Sequence, residues 1–118
     1  MCKLTPDPRD VADALLINLE NTLGIRVFDA LITNISLDYL GGEMDIRTAI
    51  IERPDLFERA IIGMLGSIGE RILARIWCVN LREQFRLDPR LIYHNAGDLV
   101  RCIEAIRKRA NENSLDYK

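Results

Sequence analysis

Apolar residues return every three or four positions along most of the chain, and no period-two alternation survives for more than a few residues. The pattern therefore predicts helices throughout and no sheet. Its longest expression is 54–86, PDLFERAIIGMLGSIGERILARIWCVNLREQFR. At about 100° per residue, Phe57, Ile61, Met64, Leu65, Ile68, Ile72, Ile76 and Val79 fall within roughly 60° of one line, which is the expected core face. A second apolar strip, Leu73, Trp77 and Leu81, lies about a third to a half turn away. A helix with two apolar sides needs cover on both, from its own fold or from a second chain.

One helix across this stretch would hold Gly63, Gly66 and Gly69 in its interior, at about 1 kcal/mol each relative to alanine. Ser67 and Glu70 stand in the Ser-x-x-Glu capping arrangement, so Gly66 is expected to end one helix and Ser67 to cap the next. Helices are placed at 54–65 and about 68–86, with a tight glycine corner between them. The alternative use of GSIG is a backbone anion site at a helix N-terminus. The stretch has no lysine and lacks the Gly-x-x-x-x-Gly-Lys-Ser/Thr pattern, which excludes a nucleotide P-loop.

Before this stretch, Asp7-Pro8 is a helix start, an aspartate cap followed by a proline that forfeits no hydrogen bond. Val11, Leu15, Leu19 and Leu23 then repeat at i+4 up to a C-capping Gly24. Phe28, Leu31, Ile32, Ile35 and Tyr39 share a face of a second helix ending at Gly41-Gly42. Asp45 caps a two-turn helix, IRTAIIE, that must stop before Pro54. After the long stretch, Asp88-Pro89 repeats the earlier start and predicts a short helix over RLIYH. Asn95 and Asp98 open a last helix striped by Leu99, Cys102, Ile103, Ile106 and Ala110, in which 107–109, Arg-Lys-Arg, suits the negative C-terminal end of the macrodipole. Residues 1–6 and 111–118 are expected to be mobile. The expected architecture is all-α: one compact, bundle-like domain over 1–118, with five or six helices and a central helix at about 68–86.

Composition supports one domain, since 118 residues at 48% hydrophobic content can bury a core. The formal charge of −2 gives no global case for nucleic acid or an anionic membrane. Its distribution is uneven: residues 1–70 carry 6 basic and 12 acidic side chains, residues 71–118 carry 10 and 6. That split favours pairing between the halves, within one chain or between two. Cys2, Cys78 and Cys102 are odd in number, have no CxxC spacing and are joined by a single histidine, His94. Neither a disulfide framework nor a zinc site is expected, and buried thiols point to the cytoplasm. No stretch is apolar enough for a signal peptide or a membrane span.

Candidate chemistry is sparse. Arg71, Arg75, Arg82 and Arg86 fall within about 60° of each other on the long helix and form a row beside the core face. Guanidinium forks suit carboxylates and phosphates. The row is open to three readings: ion pairs with Glu20, Asp29 or Asp38 in its own chain, an acidic partner, or nucleic acid. The overall acidity weighs against the last. Tyr93, His94 and Asn95 are the one suggestive run for acid–base work, and a lone histidine near a helix end is more often a cap or surface residue. Cys78 has no neighbouring histidine to activate it. No catalytic residue, metal or cofactor is assigned, and no enzyme is expected. Trp77 is an anchor for the core or for an interface.

The Pro54, Phe57, Leu65, Gly66 and Glu70 positions, set within the helix order of residues 25–86, resemble the Pro-x-x-Phe, Leu-Gly and Glu pattern of small archaeal helical modules, the Nitrosopumilus output domains. The resemblance implies a non-enzymatic signalling or regulatory output role. The expectation from both lines is a protein-interaction module that forms a homodimer through Leu73, Trp77 and Leu81. An arginine-based binder of anions or nucleic acid is the alternative.

Overall fold

The computed structural model describes the backbone of residues 7–42 and 44–116 and side chains as far as residue 110. The helices are α1 (Pro8–Leu23), α2 (Ile25–Asp38), α3 (Ile46–Glu52), α4 (Pro54–Leu65), α5 (Ser67–Arg75), α6 (Arg82–Phe85) and α7 (Asp98–Asp116), with a π-helical segment, Ile76–Leu81, between α5 and α6. Dihedral angles stay helical at both joints of that segment, so α5, the π segment and α6 form one rod. Counted so, six helices and no strand occur among the described residues, as the apolar spacing predicts.

The helix starts follow from local chemistry. The Asp7 carboxylate accepts the Arg9 N–H at 2.9 Å with Pro8 in the first turn. Asp45 accepts the Thr48 N–H at 3.3 Å. The chain leaves α4 through Gly66 at φ 67°, ψ −148°, a region that costs any residue with a Cβ. The corner is therefore where the glycines predict it, but its cap is not. Gly66 is itself the N-cap of α5, and Ser67 is already helical with no side-chain cap bond. Glu70, the expected partner of Ser67, instead turns its carboxylate to the Ala96 N–H at 2.7 Å.

The corner also resets the phase of the apolar pattern. Phe57 and Ile61 on α4 are wholly buried, whereas Ile68 and Val79 beyond the corner are 61% and 55% exposed. The single core face expected across 57–79 is thus two faces, because a reversal at Gly66 breaks the angular count on which it rests. Gly69 lets the two arms approach: a Cβ there would sit 2.8 Å from the Ile61 carbonyl oxygen.

α1 lies at the centre, packed on α2, α3, α7 and the π segment, with Val11, Ala12, Leu15 and Leu19 fully buried. Each large apolar side chain so enclosed contributes about 1.5–3 kcal/mol. α7 closes the bundle against α4, α1 and α3 through Leu99, Cys102, Ile103 and Ile106. It runs on to Asp116, through much of the stretch expected to be mobile. The 107–109 run is therefore inside the helix and not at its end. Arg107 reaches across to the end of α3, donating to the Ile51 carbonyl at 3.2 Å and pairing with Glu52 at 3.5 Å. The expectation for residues 1–6, like Cys2, falls outside the described residues, as do Tyr117 and Lys118.

The predicted helix over RLIYH does not form. Asp88 accepts the Arg90 N–H at 2.9 Å and grips its guanidinium at 2.9 Å, and the Leu91 N–H closes a turn onto the Asp88 carbonyl. The Ile92 N–H turns onto the Arg90 carbonyl and the His94 N–H onto the Asp98 carboxylate, so the donors of an i→i−4 ladder are spent elsewhere.

Candidate functional site: the arginine face of α5

Leu73, Trp77 and Leu81, the expected dimer interface, are at most 1% exposed and belong to the core of one chain. In a regular α-helix residues at i, i+4 and i+8 drift by about 40° per step. The π segment, with its wider turn, holds all three on the inward side. Trp77 Nε1–H donates to the Leu91 carbonyl at 2.9 Å, so even its polar edge is satisfied within the fold. These residues are corrected from surface to core. The π segment also turns Asn80 toward α1, where its amide donates to Asn18 Oδ1, and Asn18 in turn donates to the Ala14 carbonyl at 2.7 Å.

The same wide turn divides the arginine row, since one added residue rotates everything after it by roughly 100°. Arg71 and Arg75 stay together, exposed, on a groove of about 280 Å³ that Ile68, Ile72, Ile76, Asn80 and Thr22 also line. Arg82 turns inward, its Nε enclosed without a hydrogen-bond partner. Arg86 ends the rod in a left-handed conformation, φ 52°. Among the described residues none of these four arginines forms an ion pair, so the pairing with Glu20, Asp29 or Asp38 is not made within the chain. Ion pairs between described residues include Arg47–Asp13, Arg53–Asp55, Arg90–Asp88, Arg101–Asp98 and Arg107–Glu52.

A second polar cluster gathers the Tyr93, His94 and Asn95 run around Glu58, which no local pattern marks. Glu58 on α4 is 4% exposed. Its Oε1 accepts the Gly97 N–H at 2.9 Å, and its Oε2 accepts the Tyr93 hydroxyl and the Leu99 N–H, the latter at 3.4 Å. It therefore caps α7 from another helix, placing a negative charge where the macrodipole favours one. Asp98 accepts the His94 and Asn95 N–H groups at 2.7 and 3.0 Å. Burial alone would raise the Asp98 carboxyl, but those two amides hold it below its ordinary value. Arg101 donates to the Ile92 carbonyl at 2.7 Å, and the Cys78 thiol reaches the Tyr93 carbonyl. Residues 87–97 are thus held from α4, α5, the π segment and α7 at once.

Every Glu58 oxygen is engaged, and burial followed by the bond to Glu58 pushes the Tyr93 phenol far above its ordinary value. His94 is exposed, and its N–H contact to Asp98 is through the backbone. Burial pushes the Cys102 thiol up to about 12, away from a reactive thiolate. The groove beside Glu58, about 470 Å³, is lined by Asp55, Arg59, Ile62, Gly63 and Val100 together with Ala96 and Gly97. No cluster of three or more His, Cys, Asp or Glu side chains among the described residues could hold a metal ion. No helix among them is long and apolar enough to cross a membrane.

Comparison with curated proteins and with solved structures finds no match. The family model described as Nitrososphaera output domain 2 matches residues 6–110, taking in α1 and most of α7 as well as the 25–86 stretch in which the output-domain pattern is recognisable. This helical chain belongs to the Nitrososphaera output domain 2 family.

Proposed function

We propose that this output domain acts by docking a protein partner onto the arginine face of α5 and performs no chemistry of its own. The observation that carries the reading is the state of Arg71 and Arg75: both are exposed, neither has a carboxylate partner among the described residues, and they share a groove with Ile68, which is 61% exposed. Arginine forks beside an accessible aliphatic anchor are the composition of an interface centre and not of a solvated helix face. The tightly held loop supports the same reading, since the carboxylates that hold it are spent on backbone amides and its tyrosine on the Glu58 carboxylate. The free thiols Cys78 and Cys102 suit a reducing, cytoplasmic setting.

The test is differential retention by the full chain. Arg71→Glu with Arg75→Glu should lose a protein that the wild type and an Arg90→Glu control both keep, Arg90 being exposed and remote in sequence. Equal retention by all three contradicts the reading. Steeply salt-dependent binding of DNA or RNA, lost in the double variant, would give the face to nucleic acid instead.

A further inference from the structure

α2 is the least buried of the long helices. It buries only Leu31 and Ile35, against five buried residues each in α1 and α4. Ile25, Asp29, Thr33 and Leu37 follow one another at i+4 and wind through about 120° of its outer side, and all are exposed, Ile25 at 62% and Leu37 at 65%. Among the described residues Asp29 pairs with no cation. The stripe is apolar at both ends and acidic with a hydroxyl between.

α5 and the π segment carry the complement. Ile68 and Val79, 61% and 55% exposed, stand at the ends, and the unpaired Arg71 and Arg75 lie between them. At 1.5 Å per residue the α2 stripe is about 18 Å long and the α5 stripe about 16 Å, so apolar ends and charged centres are in register.

We propose that the occupant of the α5 groove is a second copy of this chain, presenting the Ile25–Leu37 stripe of its α2 so that Asp29 meets Arg71 and Arg75. The inference rests on the docking reading above and names its partner. Each copy carries both stripes, so an arrangement with a two-fold axis between the copies would make the contact twice and close. It also uses the uneven charge of the chain, because acidic α2 and basic α5 are brought together between copies and not within one.

The test is sedimentation equilibrium of the full chain with two charge variants, helicity being checked by circular dichroism since every changed residue is exposed. The wild type at tens of micromolar should sediment at twice 13.5 kDa. Asp29→Arg alone places like charges at both contacts, as does Arg71→Asp with Arg75→Asp alone, and each should weaken self-association at least about tenfold. An equal mixture of the two variants restores opposite charges at both contacts and should recover the dimer. A wild type that stays at 13.5 kDa, or variants that dimerise as well alone as mixed, overturns the proposal. If the wild type is monomeric while the arginine-dependent retention persists, the docking reading stands and only the second copy is removed.

Discussion

The Tyr93 hydroxyl donates to Glu58 Oε2 across 35 residues of sequence, and through that carboxylate it is tied to the first turn of α7, whose Gly97 and Leu99 N–H groups the same side chain accepts. One buried charge therefore joins α4, the 87–97 loop and α7. Hydrogen bonds to charged groups are worth about 1.5–3 kcal/mol, and removal of one partner leaves the other buried and unsatisfied. Tyr93→Phe and Glu58→Gln should each destabilise by about 2–3 kcal/mol. In a double-mutant cycle by urea unfolding the two should couple by about 1 kcal/mol or more, and additive losses would contradict the link.

The same pair predicts an alkaline limit. Burial and then the bond to Glu58 hold the Tyr93 phenol above its ordinary value of 10.0. A group raised in the folded state contributes stability that is full below its unfolded value and is lost as pH climbs beyond it. Stability should fall from about pH 10 upward, less so in Tyr93→Phe. Phenolate absorbance followed beside far-ultraviolet circular dichroism checks this. The absorbance difference between the wild type and Tyr93→Phe, which removes the contribution of the other two tyrosines, should develop only as helicity is lost; its appearance near pH 10 with helicity intact contradicts the burial.

The glycine corner separates three substitutions. Gly69→Ala would place a Cβ 2.8 Å from the Ile61 backbone carbonyl, which cannot yield without moving α4. Gly63→Ala meets only the Tyr39 hydroxyl, the end of a side chain that can swing aside. Thermal unfolding should show Gly69→Ala destabilised by about 1–3 kcal/mol. Gly63→Ala should be close to neutral, since alanine's helix preference offsets the contact. Ser67→Ala should also be close to neutral, and a loss near 1 kcal/mol there would restore the capping role that the structure denies it.

Trp77 gives the sharpest contrast between a core and an interface. It is 0% exposed and its indole N–H is bonded within the chain. Trp77→Glu should therefore unfold the domain, measured as loss of helical circular dichroism, and Trp77→Ala should cost about 3–5 kcal/mol. A folded Trp77→Glu chain that merely changes mass would contradict the placement.

What was legible in the sequence is what local chemistry decides. Asp7-Pro8, Asp45 and Gly66 mark helix boundaries because caps and strained dihedrals need only neighbouring residues. Asp88-Pro89 carries the same local mark and fails: the Ile92 and His94 N–H groups go to the Arg90 carbonyl and the Asp98 carboxylate, and Trp77, Arg101 and Cys78 hold the extended segment by the carbonyls of Leu91, Ile92 and Tyr93. Glu58 carries no local mark and Glu70 carries the mark of a cap for its own helix, whereas their amide partners lie 39 and 26 residues away, and no local pattern announces such a bond. The π segment is equally silent in sequence, yet it decides that Leu73, Trp77 and Leu81 face inward and that Arg71 and Arg75 part from Arg82 and Arg86. A regular helical count assigns both groups differently.

The most direct test of docking on α5 is site-specific photo-crosslinking of the full chain in its own cells, with the photoreactive residue replacing Ile68 in one version and the exposed Glu104 of α7 in another. The account predicts a discrete protein adduct from position 68, abolished by Arg71→Glu with Arg75→Glu, and none from position 104. Absence of an adduct at 68, or equal adducts at both positions, would contradict it.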